Sequence, residues 1–232
     1  MSFNQDLYKI FGIQLTKEQE SQFQIYFHEL VEYNKHTNLT RITEETEVYY
    51  KHFFDSISLI KAIDVLDQST LCDMGAGAGF PSLPIKIIYP HLKVTIIDSS
   101  NKRINFLKLL INKLQIDHID LVCDRIESYA RKHQQLFDIV TARALGALPF
   151  IIELGIPMLK NSGHLIAYKS SQFKEEIDLS KNALYKLNSK IAHITEFSLP
   201  NQLGERALID IIKIKHVVDY PRAYQQMLKK PL

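Results

Sequence analysis

Nine residues, Asp73-Met74-Gly75-Ala76-Gly77-Ala78-Gly79-Phe80-Pro81, concentrate the chemical possibilities of this chain. Glycine adopts positive φ at no steric cost and lets a bound molecule approach the backbone, so alternating Gly75, Gly77 and Gly79 can cradle a ligand. A tight turn against a neighbouring helix makes the same demand. The apolar residues Leu71 and Cys72 lead into the glycines, so the stretch reads as strand, loop and helix start, which favours the ligand. Phosphates are not the expected guests. The dinucleotide fingerprint G-x-G-x-x-G requires glycine where Phe80 stands, and no G-x-x-x-x-G-K-[ST] sequence is present.

Further residues extend the pattern. Asp73 lies two positions before the first glycine and can offer a carboxylate to a cationic ligand. Asp98 closes the run Val94-Thr95-Ile96-Ile97, where a carboxylate can accept both hydroxyls of a ribose; it can equally cap the following helix. Cys123-Asp124-Arg125-Ile126-Glu127 can present backbone and a polar side chain to an adenine edge, or simply begin a helix. An acidic residue before G-x-G-x-G and another at the end of a second strand resemble the S-adenosylmethionine-dependent Rossmann-like methyltransferases. That ligand has a ribose and an adenine but no pyrophosphate, and its cationic sulfonium and amino group suit Asp73. A nicotinamide-dependent oxidoreductase, a non-catalytic RNA-binding module and a small-molecule methyltransferase are the competing readings. Phe80 opposes the first, the intact acidic residues and glycines the second, and a basic C-terminus the third.

The acceptor is narrowed by what is missing. Methylation at pyrimidine C5 uses a nucleophilic cysteine, and both Cys72 and Cys123 sit in apolar runs that read as buried strands. Amino-group methylation in the resembling families uses an Asn/Asp-Pro-Pro-aromatic tetrapeptide after strand four, where this chain has Val140-Thr141-Ala142-Arg143-Ala144. An atom already nucleophilic, such as guanine N7, needs alignment and charge management rather than a general base. No catalytic residue is therefore assigned.

The elements that must position these groups follow from periodicity. Thr16 to Gln19 has capping-box spacing, and Phe23, Phe27, Leu30 and Val31 mark one face of a long helix. The polar stretch 35–41 breaks it. A second helix is expected from Glu44 to the mid-sixties, with Tyr49, Phe53, Ile57 and Ile60 on its apolar side. Beyond residue 70, apolar runs at 71–74, 94–97, 120–122, 137–141, 164–168, 191–197 and 207–214 alternate with amphipathic stretches. The expectation is an α/β fold: a mostly parallel seven-stranded Rossmann-like sheet with helices on both faces, its last two strands an antiparallel pair. A helical N-terminal extension, residues 1–66, would pack on a methyltransferase domain, 67–232, with a basic tail.

Composition sets the remaining bounds. The 232 residues are 46% hydrophobic and 23% charged, ordinary for a folded protein. Two cysteines, scattered histidines and the lack of a signal peptide or long apolar run point to a cytoplasmic protein with no metal and no membrane contact. Residues 1–64 carry 6 Lys/Arg against 10 Asp/Glu, a net −4, whereas the other 168 carry 22 against 16, a net +6. Lys213, Lys215, Arg222, Lys229 and Lys230 face Asp219 alone in the last twenty residues. A basic surface suits a polyanion. Lys102, Arg103, Lys169, Arg206, Arg222, Lys229 and Lys230 are thus candidate phosphate contacts, or plain solvated cations. Tyr168 and Phe80 could stack on a splayed base, or pack in the core.

The chain resembles, over nearly its whole length, the bacterial glucose-inhibited division protein B family. Asn38-Leu39-Thr40-Arg41, His52-Phe53-Phe54-Asp55-Ser56, the glycine loop through Pro81, Thr141-Ala142-Arg143-Ala144, Gly204-Glu205-Arg206, Tyr220-Pro221-Arg222 and the closing Lys230-Pro231-Leu232 carry the resemblance. It implies an enzyme that uses S-adenosylmethionine to methylate guanine N7 in the 530 loop of 16S ribosomal RNA, free or in a small-subunit precursor; a monomer is expected. It also implies that Gly75 and Phe80 line the cofactor site, that Ile126 and Glu127 contact the adenosine, and that Arg143 lies on the far side of the same pocket. Asn38, Arg41, His52 and Asp55 would join the helical region to the cofactor domain or border the RNA entrance. Ser82 stands where the family has glycine, and Gln225-Gln226-Met227-Leu228 replaces its Gly/Pro-containing turn.

Overall fold

The computed structural model describes residues 2–232. Two N-terminal helices, α1 (Phe3–Phe11) and α2 (Lys17–Thr37), both begin with capping boxes, Ser2 with Gln5 and Thr16 with Gln19. These boxes satisfy backbone N–H groups that a helix start otherwise leaves unpaired. Asn38, in the left-handed region at φ 53°, ends α2. The next helical stretch is composite: α3 (Glu45–Val48), a π-helical turn at Tyr49–Phe54, α4 (Asp55–Ile57) and a 3-10 turn at Ser58–Lys61. The single expected helix is therefore irregular at the point where His52 and Asp55 leave it.

A seven-stranded sheet follows, built from β1 (Thr70–Met74), β2 (Lys93–Ile97), β3 (Ile119–Val122), β4 (Phe137–Arg143), β5 (Leu159–Lys169), β6 (Ser189–Ser198) and β7 (Glu205–Lys213). Its order is β3-β2-β1-β4-β5-β7-β6. The first five strands are parallel and β7 is antiparallel to both neighbours. The antiparallel pair thus forms one side of the sheet, as expected, with β7 inside and β6 at the edge. Connecting helices are α5 (Ser82–Ile88), α6 (Asn101–Leu114), α7 (Ile126–Lys132), α8 (Leu148–Gly155), α9 (Phe173–Leu179) and α10 (Lys181–Lys186); α11 (Tyr224–Lys229) closes the chain.

Apolar packing covers both faces of the sheet. One cluster joins Leu7, Phe23, Tyr26 and Phe53 of the N-terminal helices to Leu71, Ile96 and Leu107. The other packs Val140, Ile152, Leu165 and Ile209 with α7 through α10. Residues 1–66 share a core with the sheet instead of forming one of their own. Chain order diverges at β1, with β2 and β3 on one side and β4 and β5 on the other, and such a switch point opens a crevice beyond the strands' carboxyl ends.

Cys72 is buried as expected, but Cys123 is exposed. The edge strand β3 ends at Val122, one residue short of the apolar run, so the thiol falls in the following loop and donates to Asn101 Oδ1 at 3.1 Å.

Candidate active site

The glycine loop is held from three sides. Gly75 and Gly77 have φ of +71° and +61°, and Gly79 has +99°. A side chain is strained at each of these positions. Ala78 carbonyl accepts from Tyr26 Oη at 2.6 Å, which ties α2 directly to the loop. Asp73, fully buried, accepts from Ser82 N and Thr141 Oγ1, both at 3.0 Å. Both of its oxygens thus position the loop and the start of α5. Burial pushes this carboxyl up to about 6. Asp73 organises the loop from below and does not line a cleft.

Asp98, also buried, accepts from Gly77 N at 3.1 Å, Ser100 N at 2.9 Å and Arg103 Nη1 at 3.2 Å. It joins the glycine loop to the entry of α6, which is the capping alternative, while its side chain borders a cleft. Gly75, Asp98, Ile126 and Glu127 meet in a cleft of about 380 Å³ at the carboxyl ends of β1, β2 and β3. Leu145, Phe150, Leu154 and Tyr224, none of them a candidate from the sequence, complete its lining. The three residues from 145 to 154 look like ordinary helix-entry hydrophobics in sequence, and Tyr224 lies eighty residues beyond β4.

Phe80 and Arg143, both expected at the cofactor site, pack against each other, and Arg143 immediately precedes Ala144, which lines this cleft. Phe80 is buried, stacked between Tyr26 (5.3 Å between centroids) and His52 (4.5 Å), with the Arg143 guanidinium 4.9 Å from its ring centre. This is the core alternative for Phe80, and it supports the second cleft. Gly79 packs there too, its missing Cβ position 2.7 Å from Tyr26 Oη.

That second cleft, about 450 Å³, contains Lys51, His52, Asp55, Arg143, Tyr168 and Arg206, with Lys169 and Glu176 beside them. Ala144, immediately beyond β4, lines both clefts. Asp55 Oδ2 accepts from Arg143 at 3.0 Å and Oδ1 from Arg206 at 3.1 Å. Burial pushes the Asp55 carboxyl up, against the pull of the two guanidiniums. Two fixed cations against one carboxylate leave this floor positive. His52 Nδ1 accepts from Arg143 Nη2 at 3.3 Å, so Nε2 carries the proton towards Thr40 Oγ1 at 3.0 Å. Tyr168 Oη donates to the Ser56 carbonyl at 2.7 Å. His52 and Asp55 thus both tie the helical region to β4 and line the cleft; Asn38 caps α2, and Arg41 is exposed.

Burial and the neighbouring Arg143 hold His52 down at about 3, so its imidazole is neutral near pH 7. The unfolded chain takes up this proton near pH 6.5 and the folded chain refuses it. Stability present above pH 6.5 should therefore be lost on acidification, by about 2 kcal/mol between pH 6.5 and 5 from this group. Asp73 acts oppositely: with its pKa raised, its contribution is present below the usual carboxylate range and lost as pH rises through about 6. Urea unfolding of the wild type and His52→Gln at pH 7 and pH 5 isolates the histidine. An equal acid response in both proteins would refute the assignment.

The cation candidates divide. Arg206 and Lys169 line the second cleft, Lys169 Nζ donating to Gly146 carbonyl at 2.7 Å and Glu176 at 2.6 Å. Lys229 and Lys230 are exposed. Arg222 clasps buried Glu153 through Nε and Nη2, both at 2.7 Å. Lys213 is buried as well, donating to the Leu159 carbonyl at 2.6 Å. Two of the five cations of the tail are thus spent inside the molecule.

The sheet order and the glycine-loop cleft define the fold of S-adenosylmethionine-dependent methyltransferases. M. jannaschii TYW2, solved in complex with AdoMet, superposes with a TM-score of 0.54 at 14% identity, covering 70% of this chain and 77% of that one. The family model described as rRNA small subunit methyltransferase G matches residues 19–209. Proteins named ribosomal RNA small subunit methyltransferase G are 48% identical in Acholeplasma laidlawii, over 96% of both chains, and 46% identical in Staphylococcus saprophyticus, over 95% of this chain and 93% of that one. The chain belongs to the rRNA small subunit methyltransferase G family. It is an S-adenosylmethionine-dependent ribosomal RNA methyltransferase. Among the described residues no helix is long and apolar enough to cross a membrane.

Proposed function

We propose that this enzyme methylates N7 of a guanine in the 530 loop of 16S ribosomal RNA, free or within a small-subunit precursor, as a cytoplasmic monomer. The glycine-loop cleft holds the donor and the Arg143–Asp55–Arg206 cleft takes the acceptor base. One observation carries the reading: the groups at the acceptor floor that could remove a proton are already engaged. Both His52 nitrogens and both Asp55 oxygens have hydrogen-bond partners. An acceptor with a lone pair and no proton to lose is what such a cleft can serve.

The residues present fit the donor. Gly75 and Gly77 leave backbone bare at positive φ, and a Cβ at Gly77 would meet no atom of the chain within 4 Å. Asp98 offers a buried carboxylate towards ribose hydroxyls, Glu127 sits at the start of α7, and Ile126 gives an apolar face to the adenine. S-adenosylmethionine, when bound, supplies a methyl group on an electrophilic sulfonium. The protein's own contribution is alignment: Ala144 is the common wall of the two clefts, so donor and base meet across one residue. Arg143 and Arg206, held in place by Asp55, attract the phosphates that flank a splayed-out base. Lys229 and Lys230 extend that attraction over the surface.

Tritiated S-adenosylmethionine incubated with unmodified 16S RNA or small subunits should label one guanine, located by strand scission at 7-methylguanosine. Label on another atom or base overturns the acceptor assignment.

A further inference from the structure

We propose that the C-terminal segment 220–230 is a wall of the donor site, with Tyr224 closing on the adenine ring. The donor cleft is lined by polar side chains, Asp98, Ser99 and Arg103, and by an apolar set, Ile126, Leu145, Phe150, Leu154 and Tyr224, with Gly75 against Ile126 and Leu145 of that set. A ribose suits the first group, and a flat purine the second. Tyr224 contributes an aromatic face there from a helix that begins fifty-five residues beyond the end of β5. Its ring is backed by the Arg125 guanidinium at 4.2 Å and meets Phe150 edge-on at 6.1 Å. Arg125 in turn pairs with Glu127, which lines the same cleft.

The segment is fastened on both sides of this tyrosine. Arg131 donates to the Pro221 carbonyl and Gln134 to the Tyr220 carbonyl, each at 3.0 Å. Arg222 grips Glu153 of α8 and also donates to the Lys230 carbonyl at 3.1 Å, drawing the end of α11 back on itself. Buried Met227 anchors the helix in the cluster of α7 through α10. The tail is thus stitched to α7 and α8, the two helices whose starts border the cleft. Lys229 and Lys230 lie exposed on the same short segment, so contact with RNA phosphates would bear on the element that encloses the donor.

This rests on the assignment of the donor to that cleft, and the test separates the two. The chain contains no tryptophan, so Tyr224→Trp makes a single-indole protein whose emission should be quenched when S-adenosylmethionine or S-adenosylhomocysteine binds, because a stacked purine quenches indole. Calorimetric titration of S-adenosylhomocysteine should show affinity within about threefold of wild type for Tyr224→Phe and at least tenfold weaker for Tyr224→Leu, in line with base–aromatic stacking. 5′-Methylthioadenosine, which lacks the amino-acid arm, should lose the same factor. Loss for S-adenosylhomocysteine alone would put Tyr224 beside the amino-acid arm and overturn the proposal, as would wild-type affinity in Tyr224→Leu or unquenched emission while the ligand binds. Asp98→Ala is the control: if it too leaves affinity unchanged, the donor lies elsewhere and the cleft assignment itself has failed.

Discussion

Gly75→Val is expected to abolish S-adenosylmethionine binding, with calorimetric titration of the folded variant showing no measurable heat. The glycine sits at φ +71°, a conformation that β-branched residues scarcely adopt. The first carbon of any side chain would stand 2.8 Å from Leu145 Cδ1 and 3.8 Å from Ile126 Cδ1, both of which line the donor cleft. Leu145 can swing away, but the valine methyls would then fill the space between the loop and Ile126. The backbone strain is on the order of 1–2 kcal/mol, small enough for the sheet to survive. Donor affinity should therefore collapse much further than stability. Near-normal affinity would mean that the glycines merely make a turn.

Arg222→Ala should destabilise the protein by about 3 kcal/mol, because it strands the Glu153 carboxylate in the interior. The Glu153 side chain is 2% exposed, and Arg222 supplies its backbone N–H as well as two guanidinium bonds. Thermal unfolding should fall by roughly 6–12 °C for a chain of this size. Donor affinity should weaken with it, since the clasp holds Tyr224 at the cleft. Adding Glu153→Gln should restore much of the stability by removing the uncompensated charge, while the tail and the donor affinity stay impaired. If Arg222→Ala instead lowered RNA affinity alone, with unfolding unchanged, the arginine would face the RNA as its basic surroundings first implied.

Arg222 also shows where sequence reading stops. Its neighbours in the chain, Pro221 and the lysines of the tail, describe a basic terminus, and nothing local announces Glu153, sixty-nine positions earlier. Lys213 is similar: it reads as a surface cation yet donates to backbone carbonyls inside the fold. Asp73 was legible as functionally placed, but not its direction. A strand's side chains alternate between faces, and which face meets the ligand depends on what packs opposite. Thr141 and Ser82 take up its oxygens, whereas Asp98, at the end of the neighbouring strand, lies on the cleft.

The sequence by itself determined the alternation of strands and helices, the antiparallel last pair, the glycine loop with its missing final glycine, and Asp98 at the end of the second strand. These are local: each depends on residue type and spacing within about a dozen positions, and the parallel sheet then gathers strand ends at one edge without further instruction. Tertiary structure alone decided that two clefts meet at Ala144, that Arg143 lines the second with Phe80 packed against its guanidinium, and that the tail returns to line the first. Those arrangements are set by side chains from opposite ends of the chain competing for the same buried partners. The Arg143 guanidinium is held by Asp55 and His52, on an irregular helix of the N-terminal region some ninety positions earlier, which nothing local to residue 143 announces.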